Sequence, residues 1–258
     1  MTRRQLRALG PALATFLHHY LFCCAYTQTF AHLRTYVRGL LSDLPRKTCE
    51  PLALQGGTPV RTLQEFLKDH DWDAAAVRDL RQQEVAQQLS LRPDDGLGVV
   101  GLIDETSAAK QGTKTPGVQR QYLGCVGKVE NGIVTVHLGV CKGRYKTLLD
   151  GELFLPESWS DDRPRCTEAG IPDDVVYRPK WQIALEQVDR ATAQGVNLDW
   201  LTFDEEYGKR PGFVAGLDQR QRRFVARCHA RSPAWPPPAP VAAQRNTPRG
   251  ASRKRSYA

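Results

Sequence analysis

Two aspartates that each follow a predicted strand are the residues of this sequence best suited to chemistry. Four of the five residues 99–103 are large and apolar, which is typical of a strand buried on both faces, and Asp104 follows them. Residues 200–203 form a second such strand, which leads into Asp204. Carboxylates at one sheet edge can bind divalent cations and catalyse phosphoryl transfer. Taken alone, either aspartate could simply be a turn residue that closes its strand.

The elements between these aspartates decide whether the two side chains can act together. Residues 122–129 and 133–141 are predicted strands, and Asn131-Gly132 between them predicts a hairpin turn. Residues 148–178 predict a long irregular connection, after which Pro179 opens a helix that Gly195 ends. The Asp204 strand, a short helix over 211–219 and a strand over 223–228 follow.

This order of elements, β-β-β-α-β-α-β, predicts an α/β fold with a mixed sheet. A right-handed crossover through the helix can lay the Asp204 strand parallel to the Asp104 strand. Both carboxylates would then lie at one sheet edge, although 100 residues separate them in the chain. The topology therefore favours a paired role for Asp104 and Asp204.

Residues 1–95 and 231–258 flank this segment and differ from it in composition. Apolar residues at spacings of three and four predict that 1–95 form a small all-α domain. A cluster of turn-forming residues at 92–96 predicts its boundary with the segment 96–230. The proline and arginine content of 231–258 predicts a disordered basic tail.

The formal net charge of +8 is distributed unevenly along the 258 residues. Ten basic residues and no acidic residue follow Asp218, so this tail carries +10 and the first 218 residues carry −2. Overall basicity is therefore poor evidence that the body of the protein binds nucleic acid. The first 42 residues contain five arginines and no acid, and this basic face is either a solvated surface or a DNA-binding one.

Cysteine usage and hydropathy exclude several classes of protein. The seven cysteines include no C-x-x-C pair, which argues against a disulfide framework and against a zinc site. The most apolar stretch, 13–30, is interrupted by polar residues and lacks the cleavage pattern of a signal peptide. We expect no membrane association and a reducing cytoplasmic location.

Two blocks of residues resemble the catalytic blocks of bacterial insertion-sequence transposases in the DDE superfamily endonuclease group. The first contains Asp104-Glu105-Thr106, then Lys110-Gln111-Gly112, then the run GVQRQYLGCVGKVEN at 117–131. The second is Phe203-Asp204-Glu205-Glu206-Tyr207-Gly208, in which an aspartate precedes a Tyr-Gly pair. Residues 156–159 and 162–163 also match the pattern. The resemblance covers about residues 10–230, and it implies a ribonuclease-H-like core over 96–230.

The resemblance implies Mg-dependent phosphodiester hydrolysis and strand transfer at the ends of an insertion sequence. Asp104 and Asp204, together with a third acid, would hold two Mg²⁺ (or Mn²⁺) ions, with Asp104 bridging them. One ion would activate water or a 3′-hydroxyl, and the other would stabilise the leaving oxygen. Carboxylates suit Mg²⁺ because it is a hard cation that retains part of its hydration shell. Glu105, Glu205 and Glu206 are expected behind the ligands or exposed, rather than bound to the ions.

Partners and location follow from the same resemblance. The partners would be double-stranded DNA, as insertion-sequence ends and as target, together with other copies of the transposase through self-association. The location would be the bacterial cytoplasm, at the nucleoid. Basic residues that could contact DNA phosphates occur after Asp104 and in the first helix; they are Lys110, Arg120, Lys128, Arg3, Arg4 and Arg7.

The sequence departs from the family pattern at the third acid. In such transposases a glutamate lies on a helix well downstream, whereas the last acidic residue here is Asp218, so no third catalytic acid is found. This departure suggests a C-terminally truncated copy that is catalytically inactive as it stands.

Two alternatives remain open. A non-catalytic fragment could bind DNA or full-length transposase through residues 1–95 and the basic tail. An aspartate-dependent phosphatase is disfavoured, because Thr106 occupies the position where that chemistry requires a second aspartate.

Overall fold

The computed structural model of the protein describes residues 2–226. Five α-helices come first, with a short 3-10 helix at Leu21–Cys23; they are α1 (Arg3–His18), α2 (Thr27–Leu40), α3 (Cys49–Gln55), α4 (Val60–Lys68) and α5 (Ala74–Ser90). Strands β1 (Val100–Ala109), β2 (Gln119–Leu123), β3 (Lys128–Lys142) and β4 (Tyr145–Leu153) follow. The remaining elements are α6 (Glu157–Ser160), α7 (Arg163–Glu168), α8 (Lys180–Ala193), β5 (Trp200–Phe203), α9 (Glu205–Gly208), α10 (Pro211–Gln219) and β6 (Phe224–Ala226).

The N-terminal helices contribute to two separate apolar cores. Residues of α3 and α4, among them Leu52 and Phe66, form a small core against which α2 packs. Helix α5 instead places Val85 and Leu89 in the core of the sheet. The domain boundary near residue 95 therefore stays a prediction, although helices do dominate the segment before it.

The six strands form one mixed sheet around the long strand β3. Strand β1 pairs antiparallel with one edge of β3, while β2 and β4 pair with different lengths of its other edge. Strand β5 lies parallel to β1, and β6 lies parallel to β5. The prediction of an α/β fold with a mixed sheet is confirmed, and so is the parallel crossover from the antiparallel strands through α8 to β5.

The predicted hairpin at Asn131-Gly132 is wrong, because both residues lie inside β3. The turn between β2 and β3 instead falls at residues 124–127, where Gly127 has a φ of +69°. Asn131 anchors the loop after β1, since its side-chain amide donates to the carbonyls of Lys110 (2.7 Å) and Gly112 (3.0 Å). Gly132 allows close strand approach, since a Cβ there would lie 2.5 Å from the carbonyl oxygen of Ala108.

The predicted irregular connection over 148–178 is also partly wrong, because its first residues belong to β4. A register shift between Leu138 and Gly139 marks a bulge in the pairing of β3 with β4. The bulge makes both Leu149 and Asp150 buried, which removes the alternation that signals a strand. Four strands therefore precede α8, instead of the three that the sequence predicted.

The main core lies between the sheet and the layer formed by α5, α8 and α10. Helix α8 follows Pro179 and is followed by Gly195, which has a φ of +86°. Its Gln187 is fully buried and donates to the carbonyl of Val136 in β3 (2.9 Å). This packing fixes the start of α8 relative to the end of β1.

Two further points concern the helices and the end of the described chain. None of the helices within residues 2–226 combines the length and the apolar character that crossing a bilayer requires. The strand predicted over 223–228 appears as β6, and the predicted disordered tail at 231–258 lies outside the described residues.

Candidate active site at the carboxyl ends of two parallel strands

The parallel pairing of β1 with β5 brings Asp104 and Asp204 to the same edge of the sheet. Ile103 is in register with Phe203, and each aspartate is the next residue of its chain segment. Neighbouring strands in a sheet lie about 4.8 Å apart. Both aspartates are exposed and line one open cavity of about 1120 Å³. The fold therefore juxtaposes the two carboxylates that the sequence singled out.

The backbone holds both aspartate side chains in place. Asp204 is the N-cap residue of α9, and its Oδ1 accepts hydrogen bonds from the amides of Glu206 (3.0 Å) and Tyr207 (3.3 Å). Asp104 Oδ1 accepts from the amide of Glu105 (2.7 Å). No hydrogen bond from residues 2–226 reaches Oδ2 of either aspartate, so each carboxylate presents an oxygen to the cavity.

An ion pair lies next to the two aspartates. Lys180, the first residue of α8, places its Nζ 2.6 Å from Oε2 of Glu105, and both side chains are about one-third exposed. The same Nζ lies 5.3 Å from the centre of the Phe154 ring. Glu105 is in register with the buried Val136, on the sheet face that α8 covers. The expectation that Glu105 lies behind the ligands stays a prediction.

Tyr207 is the most deeply buried polar side chain of the site. Its ring packs edge-on against Phe213 (5.3 Å between centroids), and its hydroxyl makes no hydrogen bond of acceptable geometry with residues 2–226. Burial raises the pKa of this hydroxyl most, and the nearby carboxylates of Glu105, Asp204 and Asp104 raise it further. The hydroxyl therefore stays protonated, as a donor surrounded by carboxylates.

Basic side chains balance the remaining acids of the second block. Lys209 lies 2.9 Å from Glu206 and 3.3 Å from Glu205, and its hydrogen bond is the main cause that lowers the pKa of Glu206. Arg210 also lines the cavity, at 4.0 Å from Glu206. Glu206 is more than half exposed, and the expectation that it does not bind the ions stays a prediction.

Of the basic residues predicted to contact DNA, the three whose side chains the structure describes do not line this cavity. Arg120 and Lys128 are exposed on β2 and β3, where both face Glu130 at 3.8 Å and 3.2 Å. Lys110 follows β1, and its amide donates to the carbonyl of Asn131 (2.9 Å). Arg3, Arg4 and Arg7 belong to α1, and the structure does not describe their side chains. The role of all six residues in DNA binding stays a prediction.

The donor set at the sheet edge suits a hard divalent cation but is incomplete as a metal site. Asp104 and Asp204 supply the carboxylate oxygens that Mg²⁺ and Mn²⁺ prefer. The buried hydroxyl of Tyr207 makes no hydrogen bond with residues 2–226, although the carboxylates of Glu105, Asp204 and Asp104 are near it. Within the same residues, however, no cluster of three or more His, Cys, Asp or Glu side chains is arranged to hold a metal ion.

Sequence reasoning missed Lys180 and the burial of Tyr207. Lys180 is 75 residues from Glu105 in the chain, and nothing in its local sequence separates it from any other lysine at a helix start. Tyr207 was noted only as part of a motif. Pro179 could have indicated the position of Lys180, because the proline marks the start of the helix that crosses over between β4 and β5.

Comparisons with known proteins show the family to which this chain belongs. The model of the family described as DDE superfamily endonuclease matches residues 20–258. A curated relative, "Probable transposase for insertion sequence element IS701" from Microchaete diplosiphon, is 32% identical over 213 residues. That match covers 79% of this chain and 52% of the relative, so the chain spans about half the length of the curated relative.

Two solved structures show only a distant likeness. The "Mos1 transposase paired-end complex with left transposon end" has a TM-score of 0.26 and 12% identity over 73% of this chain and 56% of that one. The "Crystal structure of the Mos1 mariner paired end complex with Mn" has a TM-score of 0.25 and 11% identity over 76% and 59%. These scores are too low to support an argument, whereas the family model matches nearly the whole sequence. This chain belongs to the DDE superfamily endonucleases.

Proposed function

We propose that this chain carries the catalytic core of a DNA transposase that cleaves and rejoins DNA at the ends of an insertion sequence. The observation that carries the proposal is the register of β1 with β5, which sets Asp104 and Asp204 side by side in one open cavity. Membership of the DDE superfamily endonucleases supports the same chemistry. In this proposal the partners are double-stranded DNA and other copies of the transposase, in the bacterial cytoplasm at the nucleoid.

The roles of the chain's own residues follow from their positions. Asp104 and Asp204 would hold Mg²⁺ or Mn²⁺ through their exposed oxygens, and the N-cap hydrogen bonds of Asp204 would keep its carboxylate from rotating. When bound, two such ions would polarise the phosphodiester and activate the attacking hydroxyl or water. Arg210 lies on the cavity wall, where it can attract the DNA backbone.

The domain organisation forms part of this proposal. Residues 1–95 would bind DNA through the helices α1–α5, and residues 96–230 would form the catalytic core. The sequence contains no acidic residue after Asp218, and the proposal assigns a metal-binding role to two carboxylates only. We therefore expect this chain by itself to bind cations weakly and to cleave DNA slowly or not at all.

Mn²⁺ binding to the full chain tests the proposal independently of cleavage. Titration followed by the electron paramagnetic resonance of free Mn²⁺ should show binding that Asp104→Asn abolishes, because Asn removes the charge and keeps the shape. Asp173→Asn is the matched control, since that side chain is 94% exposed and pairs only with Arg163 among residues 2–226. A wild-type chain that binds no Mn²⁺, or an Asp104→Asn chain that binds it normally, would contradict the proposal.

A second candidate function is that the chain only binds DNA or a longer transposase. The charge of +10 after Asp218 favours it. DNA binding by the basic tail and DNA binding by α1–α5 can be distinguished by gel-shift titrations with and without residues 232–258. Binding driven by the tail should fall steeply with salt and disappear on deletion, whereas binding by α1–α5 should persist.

A further inference from the structure

Three residues from three different elements lie behind the two aspartates and have no role in the chemistry proposed above. Glu105 extends from β1 on the face opposite to Asp104, since successive strand residues point to opposite faces. Lys180 comes from the start of α8 and Tyr207 from the four-residue helix α9. All three line the same cavity as Asp104 and Asp204.

The buried hydroxyl of Tyr207 lacks a hydrogen-bond partner among residues 2–226. The side chain is 3% exposed, and its oxygen makes no hydrogen bond of acceptable geometry with residues 2–226. Burying a hydroxyl without a partner costs folding free energy, so such groups are rare in folded proteins. After burial, the Glu105 carboxylate is the main cause that raises the pKa of this hydroxyl. The same carboxylate lies 2.6 Å from the ammonium of Lys180, and both side chains line the cavity with Tyr207.

Resting on the proposed function, we infer that Glu105, Lys180 and Tyr207 form a positioning unit for a divalent cation held by Asp104 and Asp204. Lys180 holds the Glu105 carboxylate by its ion pair, the buried Tyr207 hydroxyl is available to donate to the same carboxylate, and Glu105 would accept hydrogen bonds from the hydration shell that a hard cation retains. Glu105 acts from behind the aspartates, because its ion pair with Lys180 and its place on the other sheet face keep it from being a ligand.

Residues that orient metal ligands without binding the metal themselves have measurable effects on cation affinity. Mutation of residues that orient metal ligands typically costs about 10- to 100-fold in metal affinity. The unit therefore predicts that Tyr207→Phe, which keeps the buried ring and removes only the hydroxyl, weakens Mn²⁺ binding by about 10-fold. Glu105→Gln should weaken it by at least as much.

The experiment combines these changes in a double-mutant cycle on the full chain. Mn²⁺ affinity is measured for wild type, Tyr207→Phe, Glu105→Gln and the double variant, with thermal unfolding in EDTA recorded for each. If Tyr207 acts through Glu105, its loss should cost little once Glu105 is already changed. The melting temperatures without cation should differ by a few degrees at most. Tyr122→Phe is the matched control, because the Tyr122 side chain lines the same cavity but is 63% exposed. This variant should bind Mn²⁺ with the affinity of wild type.

Several outcomes would overturn the inference. Wild-type affinity in a folded Tyr207→Phe chain would do so, and so would additive losses in the double variant, which would show that the residues act separately. If Tyr207→Phe does not fold, Glu105→Gln decides alone, and wild-type affinity there refutes the unit. Wild-type chain that binds no Mn²⁺ would refute the proposed function together with the inference. Binding that depends on Asp104 but is indifferent to Glu105 and Tyr207 would refute only the inference.

Discussion

At the scale of single residues, Asp204 has two tasks that a change of side chain can separate. One oxygen caps the helix α9, and the carboxylate as a whole lines the cavity beside Asp104. An asparagine can cap a helix about as well as an aspartate, but it carries no charge. The two tasks therefore depend on different properties of one side chain.

We expect Asp204→Asn to keep the stability of the chain and to lose its Mn²⁺ binding. Asp204→Ala should lose the binding and also about 1 kcal/mol of unfolding free energy, because the amides of Glu206 and Tyr207 lose their acceptor. Urea unfolding without cation and Mn²⁺ titration measure the two effects. Equal stability of the Ala and Asn variants would show that the cap contributes nothing.

At the scale of elements, the pairing of β3 with β1 and β2 requires a residue without a side chain at Gly132. A Cβ there would lie 2.5 Å from the carbonyl oxygen of Ala108 and 2.5 Å from Cδ1 of Leu123. The first of these atoms belongs to the backbone of β1 and cannot move without shifting the strand. Because β1 carries Asp104, a shift of β1 at Gly132 would disturb the candidate site as well as the sheet.

Gly132→Ala is expected to destabilise the chain by about 1–3 kcal/mol, the range measured for overpacking of well-packed interiors. Gly112→Ala is the matched control, because nothing within 4 Å would contact its new Cβ, and we expect a change below about 0.5 kcal/mol. Urea unfolding measures both variants. Equal stability of the two would show that β1 and β3 can separate at no cost.

The helices α2 and α4 bury a histidine whose charge depends on pH. His32 is 8% exposed and lies 6.0 Å from the Phe66 ring and 5.6 Å from that of His70. Burial is the main cause that lowers the pKa of His32, and His70 lowers it further.

Because this histidine has a lower pKa in the folded chain, its contribution to stability is present above pH 6.5 and is lost as the pH falls below that value. In His32→Leu we expect the unfolding free energy to decrease less than in wild type between pH 7 and about pH 5. Urea unfolding at several pH values measures the difference. Parallel pH profiles of variant and wild type would contradict the assignment.

At the scale of the whole molecule, an ionic network joins the helical segment to the sheet. Arg190 of α8 lies 2.9 Å from Asp150 and 3.0 Å from Glu152, both in β4. The amide of Gln82 in α5 contacts the same Asp150 at 3.4 Å. Arg178, before α8, pairs with Glu152 and with Glu186. The network therefore orients α8, which delivers Lys180 to the site.

We expect Arg190→Met to destabilise the chain by about 3 kcal/mol, because it leaves the Asp150 carboxylate buried without its charged partner. Arg61→Met is the control, since its ion pair with Glu65 is exposed on one helix and we expect its loss to change the stability little. Urea unfolding compares the two variants. Similar losses in both, or none in either, would show that burial does not strengthen this network.

The sequence by itself determined the family, the mixed sheet, the helix α8 and the two aspartates at the ends of their strands. These features depend on local patterns: runs of apolar residues, a proline before a helix, a glycine after it and a specific run at 117–131. Only the tertiary structure decided where the hairpin turns, because Asn131-Gly132 serves the contact with β1 instead of a turn. It also revealed β4, whose bulge breaks the alternation of buried and exposed residues.

The candidate site shows the same division between local and distant information. Asp104 and Asp204 could be paired from topology, since a crossover connection has a fixed hand. The grouping of Glu105 with Lys180 and Tyr207 could not, because 75 residues separate Glu105 from Lys180 and no local pattern specifies which side chains meet across the core. Local chemistry therefore identified the residues that can bind a cation, whereas packing decided which residues surround them.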